Sequence, residues 1–117
     1  SIEIDDLPTL LACEAEHVIG FVSLKQHTRY SAEVYVMGIQ SEAHRKGIGR
    51  ALIYQAQEWL KSRDVEYLQV KTLGPSHSDE SYAKTRAFYA AMGFRPLEEF
   101  KQIWDEHNPC LIMVKKL

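Results

Sequence analysis

Cysteine is scarce. Cys13 and Cys110 are the only two in 117 residues, and they form no CxxC pair. That excludes a disulfide scaffold or a cysteine-built metal knuckle, and it reads as two buried thiols in a reduced, cytoplasmic protein. His17, His27 and His107 show no metal-ligand spacing, so no metal is expected. No apolar run approaches the roughly 20 residues that span a bilayer, and no secretory signal pattern is visible, so no membrane partner is expected. Positive charge is not in excess either. Lys plus Arg number 14 against 16 Asp plus Glu, a net charge of −2, which excludes the strongly basic face of a nucleic-acid binder. Low-complexity segments, linkers and internal repeats are absent. What is present is ordinary globular material, 45% apolar and 26% charged, in a length that suits one domain over residues 1–117.

The hydrophobic period divides the chain. Residues 7–15, 17–27 and 31–40 read as three strands with short polar links, an antiparallel meander. In the third, alternation puts Glu33, Tyr35, Met37 and Ile39 on one face and Val34 and Val36 on the other. Over 49–63 the period becomes helical, with Leu52, Ala56, Trp59 and Leu60 on one stripe. A strand over 65–72, a loop over 73–80 and a second helix over 81–92 follow, with Asp79 or Ser81 as N-cap and Gly93 at the C′ position. Residues 94–100 and, after an Asn108-Pro109 break, 111–115 complete the order β-β-β-α-β-α-β-β. This is an α/β domain with a mixed, mainly antiparallel sheet.

The link between the third strand and the first helix, His44 to Arg50, reads HRKGIGR. Two glycines one residue apart let the backbone turn tightly and let a ligand approach. The unpaired N–H groups of the first helical turn and the helix dipole, with Arg45, Lys46 and Arg50, suit a phosphate or pyrophosphate. A solvated basic helix start has the same sequence. A P-loop does not fit, because no Lys-Ser or Lys-Thr follows Gly49, and a dinucleotide fingerprint lacks its third glycine at Leu52.

A second element is TRAFYAAMGF, Thr85 to Phe94. With Gly47 and Gly49 in the first motif and Phe88, Tyr89, Gly93 and Phe94 in the second, the chain resembles the GNAT superfamily of N-acetyltransferases from about Ala12 to its C-terminus. His44 stands where that family usually has Gln or Arg, Tyr82 where a cofactor-touching Asn is common, and Thr85 where Ala is common. The family's helices ahead of the first meander strand have no counterpart here, which reads as an N-terminally shortened domain. The first two strands carry Leu11, Val18, Ile19, Phe21, Val22 and Leu24, enough apolar surface for both faces. One face therefore expects cover from a second copy, as in a homodimer, or from a longer natural chain.

The resemblance implies transfer of an acetyl group from acetyl-CoA to a primary amine by direct attack in a ternary complex. It places pyrophosphate on His44, Arg45, Lys46, Gly47, Ile48, Gly49 and Arg50, and the pantetheine arm along Met37, Gly38 and Ile39. Tyr82 and Arg86 are further cofactor candidates, Arg86 reaching phosphate or merely solvating its helix. Glu33, the sole acid within the third strand, is either the general base or an ordinary strand carboxylate. Tyr89 is either the general acid toward the departing thiolate or a core tyrosine, whereas Phe88 reads as core. Trp104, Asp105 and Glu106, between the last two strands, bias the acceptor toward a cation. The competing readings are a CoA-binding or interaction module without turnover, and a small nucleotide-binding α/β protein.

Overall fold

The computed structural model describes residues 8–41, 47–74, 80–105 and 107–117. Eight elements occur in the expected order: β1 (Thr9–Glu14), β2 (His17–Gln26), β3 (Ser31–Ile39), α1 (Ile48–Lys61), β4 (Tyr67–Leu73), α2 (Glu80–Ala91), β5 (Arg95–Asp105) and β6 (Asn108–Lys116). The strands form one six-stranded sheet in the order β1-β2-β3-β4-β6-β5. The chain divides into two compact units, Ser1–Leu68 with Leu117, and Gln69–Lys116.

In the first unit, β1, β2 and β3 are an antiparallel meander. Ala15 and Glu16 join β1 to β2 with φ of 49° and 70°, the two positive values that a two-residue hairpin turn needs to follow the strand twist. The expected alternation along β3 fails at one residue. Leu24 pairs with Val34 and Ser23 with Val36, which leaves Tyr35 as an extra residue, a β-bulge. One extra residue resets parity, so every later side chain changes face. Met37 and Ile39 pair with Val22 and Gly20 and thus join Ala32 and Val34 on one face. Glu33, Val36 and Gly38 take the opposite face, across from Lys25, Ser23 and Phe21.

Helix α1 packs on the face of Met37 and Ile39. A side chain at Gly20 would meet Cγ2 of Ile48 at 3.1 Å and Cδ1 of Leu52 at 3.3 Å, so glycine sets how closely the helix approaches. Val22, Leu24, Val34, Leu52, Ile53, Ala56 and Leu60 are buried, each contributing roughly 1.5–3 kcal/mol for a full-sized aliphatic side chain. Trp59, expected in that stripe, is only half-buried and stacks under the Arg63 guanidinium, 4.2 Å from the ring centre. Gln57 is buried instead. On the opposite sheet face Leu11 is 59% and Val36 46% exposed.

Both helices end in the same way. In α2, Gly93 (φ 98°) follows the last turn; its N–H donates to Ala90 O, and the Phe94 N–H donates to Tyr89 O at 3.0 Å. This pair of bonds is the Schellman motif, and Phe94 packs edge-on against Tyr89 with ring centres 5.5 Å apart. Lys115 Nζ donates to Met92 O at 2.7 Å, placing a cation on the C-terminal carbonyls. In α1 the left-handed residue is Asp64 (φ 63°), with Asp64 N–H on Lys61 O and Val65 N–H on Leu60 O. Ser81 lies inside α2, so it is not the N-cap, and Asp79 lies outside the described residues.

In the second unit, β5 and β6 are longer than their apolar runs. The Asn108-Pro109 pair opens β6 rather than preceding it. Phe100 pairs with Cys110 and Asp105 with Asn108, so four residues of β5 stand against Pro109 alone. Proline has no N–H for the ladder, and the partner strand bulges there. Lys101 to Trp104 are all exposed. Tyr89, not Phe88, is the buried aromatic of α2; Phe88 is half-buried. Cys110 is buried as expected, whereas Cys13 is exposed.

Gly93→Ala should destabilise the fold by about 1–2 kcal/mol, because an L-residue is strained in that conformation. The new Cβ would also meet the Lys115 side chain at 3.2 Å. Urea unfolding of the two proteins checks this, and an unchanged midpoint would contradict it.

Candidate active site

The first N–H groups of any helix lack an intrahelical acceptor, and the start of α1 adds no side-chain cap of its own. Gly47, the N-cap, has φ 74° and ψ 17° and makes no side-chain cap. Only glycine enters that conformation without strain, although a Cβ there would meet nothing within 4 Å. The Gly47 carbonyl already accepts the first helical bond, from Ala51 N–H at 3.0 Å. The first turn contains no acidic residue, and Arg50 stands in it. A helix dipole favours the opposite, negative charge at the N-terminus, so this end is left for an anion from elsewhere. Gly49 is buried and Ile48 half-buried. His44, Arg45 and Lys46, expected in the same cradle, lie outside the described residues.

Met37, Gly38 and Ile39 are half-buried in β3 and pair with Val22, Phe21 and Gly20. The Phe21 ring covers Gly38 so closely that a Cβ there would lie 2.6 Å from it. Glu33, near the start of the same strand, is 4% exposed. The His27 Nε2–H donates to its Oε1 at 2.6 Å. Sequence reading singled out the carboxylate and missed this partner, which lies across the hairpin six residues earlier.

The second unit holds a cleft of about 460 Å³, lined by Lys71, Thr72, Leu73, Tyr82, Thr85, Tyr89, Trp104 and Asn108. Tyr89 and Tyr82, both singled out from sequence, therefore share a wall. Thr72 was not singled out. It is 5% exposed, and its hydroxyl has no hydrogen-bond partner among the described residues. Trp104 is brought to this cleft by the interrupted β5–β6 ladder, not by a loop. Arg86 is committed within the unit: Nη1 donates to Leu73 O at 2.7 Å, so it ties α2 to the end of β4. Burial pushes the Tyr89 phenol above its usual value of 10.0. It thus remains protonated, and a donor, throughout the neutral range. Among the described residues no group of His, Cys, Asp and Glu could hold a metal ion, and no helix is long and apolar enough to cross a membrane.

Residues 2–94 match the sequence pattern of the acetyltransferase (GNAT) family. The mycothiol acetyltransferase of Beutenbergia cavernae is 32% identical over 74 residues, 63% of this chain and 23% of that protein. The chain thus matches about a quarter of that relative's length. A GNAT-family protein from Desulfovibrio desulfuricans superposes with a TM-score of 0.84 at 21% identity, covering 92% of this chain and 67% of its own. A GNAT-family acetyltransferase from Elizabethkingia anophelis, with acetyl-CoA bound, gives 0.80 at 18%, covering 93% and 75%. At these identities the two superpositions speak for the fold.

The Tyr89 shift has a sign that can be checked. The folded chain keeps a proton that the unfolded chain gives up near pH 10. The associated stability is complete below that pH and is lost as pH rises through the folded pKa. An alkaline absorbance titration should show one of the six tyrosines ionising later than a free phenol, and Tyr89→Phe should remove that late step. A late step that survives the substitution would assign the shift to another residue.

Proposed function

Since the chain belongs to the acetyltransferase (GNAT) family, we propose that it moves an acetyl group from acetyl-CoA to a primary amine by direct attack of the amine. The observation that carries this reading is the start of α1: a glycine N-cap in a left-handed conformation and a first turn with no acidic residue and with Arg50 in it, where the first N–H groups of a helix have no intrahelical acceptor. Those donors suit the pyrophosphate of coenzyme A. Acetyl-CoA, when bound, supplies the activated acyl group and a thiolate as leaving group.

The remaining steps fall to the chain. Met37, Gly38 and Ile39, half-buried at the end of β3 that leads toward α1, are the candidates for holding the pantetheine arm. An alkyl ammonium with a pKa near 10 is almost wholly protonated at pH 7, so a base is needed. Glu33 takes that proton. As the amine nitrogen bonds to the acyl carbon, the carbon–sulfur bond breaks and its electron pair leaves on sulfur, where the Tyr89 hydroxyl donates a hydrogen bond. The half-exposed Trp104 indole at the cleft suits a cationic acceptor, because an ammonium is attracted to an aromatic face.

Acetyl-CoA at 100 times its Kd should stabilise the protein by roughly 2.7 kcal/mol if it binds only the folded state. Thermal melts with and without it test the cofactor, and no shift would remove the assignment. Thiol release is then followed with four acceptors: an aminosugar, an aminoglycoside, spermidine and a peptide with a free N-terminal alanine. Tyr89→Phe should keep the thermal shift and lower kcat by roughly 10²–10⁴-fold. Stabilisation without thiol release from any of the four would instead favour a binding module.

A further inference from the structure

We propose that the Thr72 hydroxyl donates a hydrogen bond to the acyl oxygen and steadies the charge that develops there as the amine attacks. The inference rests on the acetyl-transfer reading and adds to it a residue that lies in neither glycine motif.

Thr72 stands where a third aliphatic residue would fit. In β4 the alternate residues Leu68, Val70 and Thr72 are all buried, so they share one face of the strand. Valine has the shape of threonine with a methyl in place of the hydroxyl. Thr72 is 5% exposed, and its hydroxyl has no hydrogen-bond partner among the described residues. Such a group has lost its water and gained no partner, a cost in stability that valine would not carry. The residue also lines the cleft of about 460 Å³. A polar group left unpaired at a cleft wall is one that a bound molecule can pair. Rotation among the staggered χ1 positions of threonine turns the hydroxyl toward a group seated there.

The lining residues differ in exposure, and that difference selects the atom. Thr72 and Tyr89 are the two buried polar side chains among the described lining residues, whereas Tyr82 and Trp104 are exposed. With Tyr89 donating to sulfur, the thioester lies at the buried end of the cleft. The acyl oxygen is bonded to the same carbon as that sulfur, so it is the next acceptor atom there. The remote groups of an acceptor amine extend toward the exposed Tyr82 and Trp104 instead. All of these residues belong to the second unit. The bond from Arg86 to Leu73 O, next to Thr72, ties this end of β4 to the helix that carries Tyr89.

During transfer the amine nitrogen bonds to the acyl carbon, the amine's proton leaves for the base, and the π pair of the carbonyl moves onto oxygen. Thr72 donates there and keeps its proton. The pair then returns, and the carbon–sulfur bond breaks with its electrons on sulfur. The hydroxyl is shut off from bulk water, where a donor is worth more to a developing charge than it is in solution.

Two measurements on the full chain test this. In the first, acetyl-CoA and S-ethyl-CoA, a thioether that lacks the carbonyl, are titrated calorimetrically into the parent and Thr72→Val. The variant should lose roughly 3–10-fold in affinity for acetyl-CoA and nothing for S-ethyl-CoA. In the second, thiol release is followed with the fastest of the four amines. Thr72→Val should lower kcat roughly 10²-fold with the amine KM unchanged. Thr72→Ser keeps a hydroxyl and should stay within a few-fold of the parent in both measurements. If Thr72→Val does not fold, Thr72→Ala replaces it. An equal loss of affinity for the two ligands, an unchanged affinity for acetyl-CoA, a parent-like kcat, or a loss confined to the amine KM would overturn the inference while leaving acetyl transfer intact. Absence of thiol release from the parent with all four amines would instead sink the transfer reading, and the inference with it.

Discussion

The bulge at Tyr35 is the constraint on which the first unit depends. Without it, strict pairing from Ala32 onward would put Met37 and Ile39 on the face of Glu33, away from α1. With it, Ala32, Val34, Met37 and Ile39 line one face, and α1 has a continuous apolar surface to cover. Glu33, ahead of the bulge, stands across from Lys25, and the ring of the extra residue Tyr35 lies 5.4 Å from the Lys25 ammonium. One inserted residue thus decides how the helix packs and gives the Lys25 ammonium an aromatic ring to lie on. It also sets the backbone of Met37 to Ile39, because everything after a bulge inherits its phase.

The order of elements was legible because each has a period that survives without tertiary context. The stripe of Leu52, Ala56 and Leu60 and the alternation in β2 are local properties. The bulge was not legible. Nothing in SAEVYVMGI distinguishes an extra Tyr35 from a regular strand residue; it exists because β2 and β3 settle register against each other. Helix ends divide in the same way. Gly93 announced the end of α2, since glycine enters the left-handed region without strain. Asp64 does the same at the end of α1 and gave no signal, because aspartate is tolerated there only when the chain needs it.

The end of β5 shows a breaker misread by position. By its place in the sequence, Pro109 predicts a gap before the last strand, with 101–107 as the connection. Its consequence falls on the neighbouring strand instead. A missing N–H removes a ladder bond, β5 runs four residues against one, and Trp104 is released into the cleft that Tyr89 and Tyr82 line. The site residues were thus legible as types but not as neighbours. Tyr89 could be named from the Phe-Tyr and Gly-Phe pairs, yet the buried hydroxyl of Thr72 and the His27 contact come from packing and from a turn. Arg86 was legible as a charge near the site, but its bond to Leu73 O ties two elements of the same unit.

The environment of Tyr89 also limits what kind of acid it can be. Its phenol lies above 10.0, whereas an ordinary thiol titrates near 8.5. Complete transfer of the phenolic proton to a thiolate would therefore run uphill. A hydrogen bond has no such cost, and in a site where Tyr89 is already desolvated it is stronger than in water. Burial that makes the phenol a worse Brønsted acid makes it a steadier donor, since it raises the pH at which the proton is lost. In the proposed transfer, the role open to Tyr89 is stabilisation of charge developing on sulfur, with the thiolate taking its proton from solvent afterwards. The edge-on contact with Phe94 and the bonds from Phe94 N–H and Met92 N–H to Tyr89 O keep this residue in place. The Gly-Phe signature and the donor are therefore parts of one helix terminus.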